Sequence, residues 1–353
     1  MAFKTAAGYG NLPNGNFSPV IYSKKVQSAF RKTSIVEDIT NSDYFGEIAN
    51  FGDTVRIIKE PEITVQEYAR GTQVTPQDLT DDDFTLVVDK ANYFAFKIDD
   101  IEEAHSHVNF ESMASDRAGY RLKDQFDQEV LGYLSGFKQS ALSTVADTAN
   151  DVKSGTDPVT AGSDGLLSSM ELTHGDFSGS GTPANSIAMS ASNTSAVATP
   201  LAILNRMSRL LDQQNVDRDG RWVVVDPVFA EELNDENSKL LNNDFAGGQN
   251  AGDLLRNGRV ISGLIRGFRV YMSNNLPSIG TGSSTIATAG SQTNFGVVVA
   301  GHDSAVATAS QVEKVETYRD NDSFADIVRG MHLYGRKILR PEALVRAKYN
   351  LYS

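Results

Sequence analysis

The chain offers little of the chemistry that side chains can carry. It has no cysteine, which excludes disulfides, thiolate zinc sites and cysteine nucleophiles together. It has only five histidines, and His105 and His107 lie two apart, which on a helix puts them on different faces and makes poor metal geometry. A structural role at a helix junction is expected for them. Serine, histidine and aspartate all occur, yet no G-x-S-x-G elbow accompanies them, so triad hydrolysis has no motif behind it. The sharpest local pattern is Asn215, Asp217, Asp219 and Gly220, with Asp226 at the twelfth position of what would be a helix-loop-helix calcium loop. Such a loop needs a bidentate glutamate last and a helix after it. Here Arg221 to Val225 reads as a strand and Asp226, before Pro227, as a helix cap, so a plain Asp-Gly turn is expected. Gly247, Gly248 and Gly252, and Gly280 with Gly282, lack the lysine of a phosphate loop and do not lead from strand into helix. They read as loops. The runs Asp81 to Asp83 and Glu102 to Glu103 read as solvated faces, the first with contact to a basic neighbour as its functional option. No catalytic residue, metal or cofactor is predicted.

What the fold has to position is therefore surface. A length of 353 residues corresponds to about two domains or one elaborated domain. Hydrophobic residues at 40% and charged residues at 22% are ordinary globular values, so the chain can bury a real core. Lys plus Arg number 32 against 45 Asp plus Glu, and the net charge of −13 has the wrong sign for gripping phosphate backbones. No apolar run reaches the roughly 18 residues of a membrane-spanning helix, and Met1 to Pro19, small and polar, does not read as a signal peptide. A cytosolic chain is expected.

Residues 1–19 have almost no apolar periodicity and read as an extended arm without a core of its own. Val26 and Phe30 suggest one short helix in Ser23 to Arg31. From Thr54 the period is two: Val55 and Ile57, Ile63 and Val65, Phe84, Leu86 and Val88, then Phe94, Phe96 and Ile98 predict half-buried strands. The polar stretch Gly71 to Asp83 between them predicts the tip of a long protruding hairpin. Asp99 with Glu102 resembles a capping box opening a helix. Leu122, Phe126, Val130, Tyr133 and Phe137 then recur at helical spacing, and one long proline-free helix is predicted over 110–149. Gly, Ser, Thr and Ala dominate 153–199, which reads as an insertion. Thr199 with Pro200 caps a helix carrying Leu201, Leu204 and Leu211 on one face. Strands near Val223, Val260, Val270 and Val297 complete a mixed sheet. Phe324, Ile327, Val328 and Met331 fall at i, i+3, i+4 and i+7, predicting a helix, and Pro341 separates two strand-like runs after it.

This order of parts, with the stretches FGDTVRI (Phe51 to Ile57), KANYFAFKIDDI (Lys90 to Ile101) and FADIVRGMHLYGRKILRPEAL (Phe324 to Leu344), resembles the major capsid proteins of tailed bacteriophages. The resemblance spans almost the whole chain. It implies an α+β fold of the Hong Kong 97 phage type: an N-terminal arm (1–50), an extended hairpin loop (51–98), a spine helix in a peripheral domain (99–150), the Gly/Ser/Thr-rich insertion (151–195), an axial domain (196–310) and a return to the peripheral domain (311–353). It implies a shell subunit that self-assembles through pentamers and hexamers into an icosahedral virion head in the host cytoplasm. Separate scaffold and portal proteins, and weak contact with packaged double-stranded DNA, are implied as partners. Arm and hairpin would cross onto neighbouring subunits, which makes Phe17, Tyr22, Phe30, Arg56, Tyr68, Arg70, Gln73, Asp81, Asp82 and Asp83 the candidate contact residues.

Elements without their own core have exposed edges, a liability in a monomer and a source of adhesion once every copy has neighbours. Some shells of this fold are cross-linked from a hairpin lysine. Gly71 to Asp83 contains none, and Lys59 and Lys90 lie back at the strand bases, so a non-covalent shell is expected. The alternatives are an encapsulin-like cellular compartment and, more remotely, a soluble α/β hydrolase.

Overall fold

A computed structural model describes residues 34–43, 54–59, 63–71, 73, 76–78, 82–100, 110–135, 167–178, 186–191, 198–235, 264–279 and 295–351. The larger sheet runs in the order β4 (Glu171–Leu172), β12 (Leu344–Leu351), β9 (Phe295–His302), β6 (Arg221–Val225) and β7 (Arg269–Met272). Two further strands, β5 (Ile187–Met189) and β8 (Ser278–Ile279), pair with β12 and β9. The sheet is mixed: β6 lies parallel to β7 and antiparallel to β9.

Both faces of this sheet are covered, which is why Val223, Val224 and Val225 form an unbroken apolar run. On one side Trp222, Val224, Val297 and Val299 pack with Phe126, Val130, Leu131 and Leu134 of a long helix, α2 (Phe110–Ser135). On the other, Val223, Val225, Val298, Ala300 and Tyr349 pack with α3 (Pro200–Gln213) and α4 (Pro227–Leu233). Both of these helices start as their sequences predict. The Thr199 hydroxyl accepts the Ala202 amide at 3.3 Å and the Asp226 carboxylate accepts the Phe229 amide at 3.0 Å, each with proline at the first helical position.

A second sheet of three long antiparallel strands, β10 (Val306–Arg319), β11 (Ala325–Ile338) and β3 (Lys90–Asp99), packs against the same α2 through Phe126 and Tyr334. The short helix α1 (Val36–Ile39) fills the corner between α2 and β10, and Asn41 bridges to Ala307. From this body projects the hairpin of β1 (Thr54–Lys59) and β2 (Asp82–Val87), in register from Thr54 opposite Val87 to Lys59 opposite Asp82. Its root is seated by Leu86 and Val88 on Ala307, Ala309 and Leu339. Gly335 permits this seating, because the Val87 carbonyl occupies the space a β-carbon would need.

Several expectations are corrected. No helix forms over Phe324 to Met331: Phe324 ends the turn before β11, and Ala325 to Met331 open that strand. Gly330 and Gly335 weaken any helix there, and β11 gains ladder partners on both edges, with Val328 buried and Phe324 and Met331 exposed. Ile63 and Val65 form no strand, since 63–69 has no regular structure. The stretch read as an insertion carries β4 and β5, and buries Met170, Leu172, Ile187 and Met189 in the core of the larger sheet. The strand β12, expected with the peripheral part, runs through the middle of that larger sheet. The predicted helix at 23–31, the strand near Val260, residues 136–149 of the long helix, Glu102, His105, His107 and the glycine loops at 247–252 and 280–282 lie outside the described residues. Within them, α2 spans 26 residues, about 39 Å at 1.5 Å per residue.

Candidate functional site

The hairpin presents a surface its own chain leaves uncovered. Val65 is 96% exposed, Ile63 67% and Tyr68 64%. Within the stretch the Thr64 amide and hydroxyl donate to the Gln77 side-chain carbonyl at 3.2 and 2.8 Å, and Gly71 turns the chain at φ +93°. Of the predicted contact residues, Arg56 and Asp83 meet across the strands at 3.6 Å, both exposed, an ion pair of little stabilising worth. Tyr68, Arg70 and Gln73 are exposed along the tip, and Asp82 stands opposite Lys59. Phe17, Tyr22, Phe30 and Asp81 lie outside the described residues. Lys90, at the start of β3, has a largely buried side chain beside Asp89 at 3.5 Å.

Sequence reading missed the residues that brace the body from which the hairpin projects. One stretch of α2 carries three carboxylates, each fastening a different element. Asp124 accepts the Asn275 amide at 3.0 Å, tying the helix to the turn after β7. Fully buried Asp127 accepts the Ser34 hydroxyl at 2.8 Å and the Ile35 amide at 3.1 Å, tying it to the segment leading into α1. Burial pushes the Asp127 carboxyl above the usual aspartate range, against the pull of its Ser34, Ile35 and Val36 donors and of Lys123. Glu129 accepts the Tyr334 hydroxyl and pairs with Arg336 at 3.5 Å, tying the helix to β11; burial pushes the Tyr334 hydroxyl well above its ordinary value, with Glu129 adding to the shift. Polar residues interrupting an otherwise apolar stripe were the available signal.

A fourth fastening sits where α2 ends. Buried Arg346 donates to the Ser135 carbonyl at 3.0 Å and to Glu171 at 2.7 Å, and Lys348 pairs with the same Glu171. Burial alone would raise the Glu171 carboxyl, but two cations outweigh it and hold it below the glutamate range. Burial pulls Lys348 down, and neighbouring Arg346 adds to that shift.

The chemical decoys resolve into structural roles. Asp219 donates its amide to the Asp217 carboxylate at 3.3 Å in a turn completed by Gly220 at φ +82°. Asp226, the twelfth residue of the calcium-like pattern, is committed to the Phe229 amide and the Tyr349 hydroxyl. Among the described residues no group of three or more His, Asp or Glu is placed to hold a metal. His302 contacts the Ser304 hydroxyl at 2.8 Å, but its other ring nitrogen faces the Asp219 backbone carbonyl, where a triad needs a carboxylate.

What remains is a scaffold braced around one long helix, with an uncovered apolar hairpin. The model of the phage capsid protein family matches residues 59–347. The chain belongs to that family.

Solved capsid structures share its fold. A structure from Mycobacterium phage Che8 superposes with a TM-score of 0.68 at 26% identity, covering 94% of this chain and 97% of that one. The capsid structure of cyanophage P-SCSP1u gives 0.64 at 21% identity over 99% of both chains. The capsid of Ralstonia phage GP4 gives 0.64 at 11% identity, covering 99% of this chain and 98% of the other. No curated protein matches. This phage capsid protein thus has the Hong Kong 97-type fold, and its family favours the phage shell over an encapsulin-like compartment. Its role is structural, as a component of the virion head.

Proposed function

We propose that this capsid protein builds the icosahedral head shell enclosing the phage genome, and that its hairpin, with the arm of residues 1–50, supplies the adhesion between copies. The observation that carries the second part is the exposure of Ile63, Val65 and Tyr68 along the hairpin. Such apolar surface is a liability in a monomer and becomes useful when each copy covers its neighbour's. Arg56, Arg70, Gln73 and Asp81 to Asp83 form the polar surround of that contact, with Phe17, Tyr22 and Phe30 serving the arm. Scaffold and portal proteins act on the same subunit during assembly in the host cytoplasm, and the acidic chain touches packaged DNA only weakly.

The combined variant Ile63→Ser, Val65→Ser, Tyr68→Ser tests the hairpin's role. Because these side chains contribute almost nothing to the subunit's own core, its melting temperature should move by no more than about 2 °C. Shell yield, counted by electron microscopy, should fall at least about tenfold, as loss of a central apolar contact does. Normal shell yield from the variant would contradict the assignment.

A further inference from the structure

The loop joining β10 to β11 is unusually well fastened for an exposed turn. The Asp320 carboxylate accepts the Asp322 amide at 3.2 Å, the Ser323 hydroxyl at 2.6 Å and the Lys97 ammonium at 2.6 Å. Arg319 bridges Asp100 and Asp326, and the Asp100 amide donates to the Phe324 carbonyl at 3.1 Å. All this bracing holds Phe324 with 80% of its surface in solvent. A rigidly presented aromatic within a polar surround is the arrangement of an interface anchor, because little conformational freedom is left to lose on binding.

The same chain carries a cleft of matching size. Between α2 and the edge of β3 lies a cavity of about 150 Å³, enough for one phenyl ring, lined by Tyr93, Phe94, Ala118 and Leu122 with Arg121 and Asp124 among its polar wall. Arg121 pairs with buried Asp124 at 3.3 Å while its own side chain stays largely exposed, and Arg117, Arg121 and Lys123 against Asp116 and Asp124 leave this stretch of α2 with one positive charge in excess. The tip carries four carboxylates, Asp100, Asp320, Asp322 and Asp326, against two cations, Lys97 and Arg319. A chain's own Phe324 cannot fill its own cleft: it sits at the Asp100 end of β3, five to six residues, or about 17–20 Å, from Phe94.

We infer that Phe324 of one copy seats in the α2–β3 cleft of a second copy, with the tip carboxylates facing Arg121. The inference rests on the shell-forming function proposed above. The contact is heterologous, tip to cleft, so repeated around a local rotation axis of a closed shell it forms a ring.

The absence of cysteine makes a clean test possible. Phe324→Cys and Ala118→Cys are introduced together and singly into the full chain, the purified products are assembled and oxidised, and they are run on a denaturing gel without reductant. The double variant should give dimers and higher multimers, and the single variants the monomer band at 38.2 kDa. Shells that form normally but give only monomer from the double variant overturn the inference and leave the shell function standing. A wild-type chain that forms no shell even with scaffold protein supplied overturns the function itself. In parallel, Arg121→Asp should weaken assembly at least about tenfold, and adding Asp322→Arg should restore part of it. Undiminished assembly of Phe324→Ser likewise rejects the contact.

Discussion

Replacing Glu171 with alanine is expected to cost the isolated subunit about 3–5 kcal/mol, because Arg346 and Lys348 would be left as buried cations without a counter-charge. The damage would spread, since Arg346 also holds the last carbonyl of α2 at Ser135 and β12 is a central strand of the larger sheet. Glu171→Gln keeps the shape and should cost less. The pH dependence follows from the depressed carboxyl. Folded Glu171 binds its proton less tightly than the unfolded chain does, so its contribution is in place above the ordinary glutamate value of 4.5 and is lost as pH falls below it. Denaturant unfolding of subunits at neutral and acid pH checks both points. Equal stability of Glu171→Ala and wild type would show that the cluster is not the brace described here.

Asp127→Ala is expected to cost about 3 kcal/mol, since it leaves the buried Ile35 amide and the half-buried Ser34 hydroxyl without their acceptor. Asp127→Asn is the informative partner. It keeps an acceptor oxygen and removes the charge, so near neutral pH it should be close to wild type or slightly more stable. Here the linkage has the opposite sign from Glu171. A carboxyl raised by burial holds its proton more tightly in the folded state, so wild-type stability declines as pH rises from about 4 through the raised value, whereas the asparagine variant lacks that slope. Hydrogen exchange at the Ile35 amide should report the same difference locally. Parallel pH profiles for wild type and Asp127→Asn would contradict the assignment.

Local signals in the sequence were legible where one rule dominated. Thr199-Pro200 and Asp226-Pro227 start helices because cap and proline agree, and the valine run at 223–225 marks a strand covered on both faces. The hairpin strands followed from their period of two. Failures came where tertiary pairing decides. Phe324 to Met331 fits helical spacing, yet two neighbouring strands and two glycines make it β11. The small-residue tract around Leu172 and Ile187 looked like an insertion because its strands are only two or three residues long, too short to show a period; they exist because β12 offers them an edge. The three α2 carboxylates interrupt an apolar stripe, but what they fasten cannot be read locally because their partners lie far along the chain, from 92 residues for Asp127 and Ile35 to 205 for Glu129 and Tyr334.

Copies of this chain close into a shell. Negative-stain electron microscopy of the full chain, purified alone and after co-expression with the scaffold protein of its phage, tests this most directly. Closed polyhedral particles of uniform wall thickness, or their pentameric and hexameric precursors, are expected. A monodisperse globule of single-chain size at every concentration and ionic strength tried would contradict it.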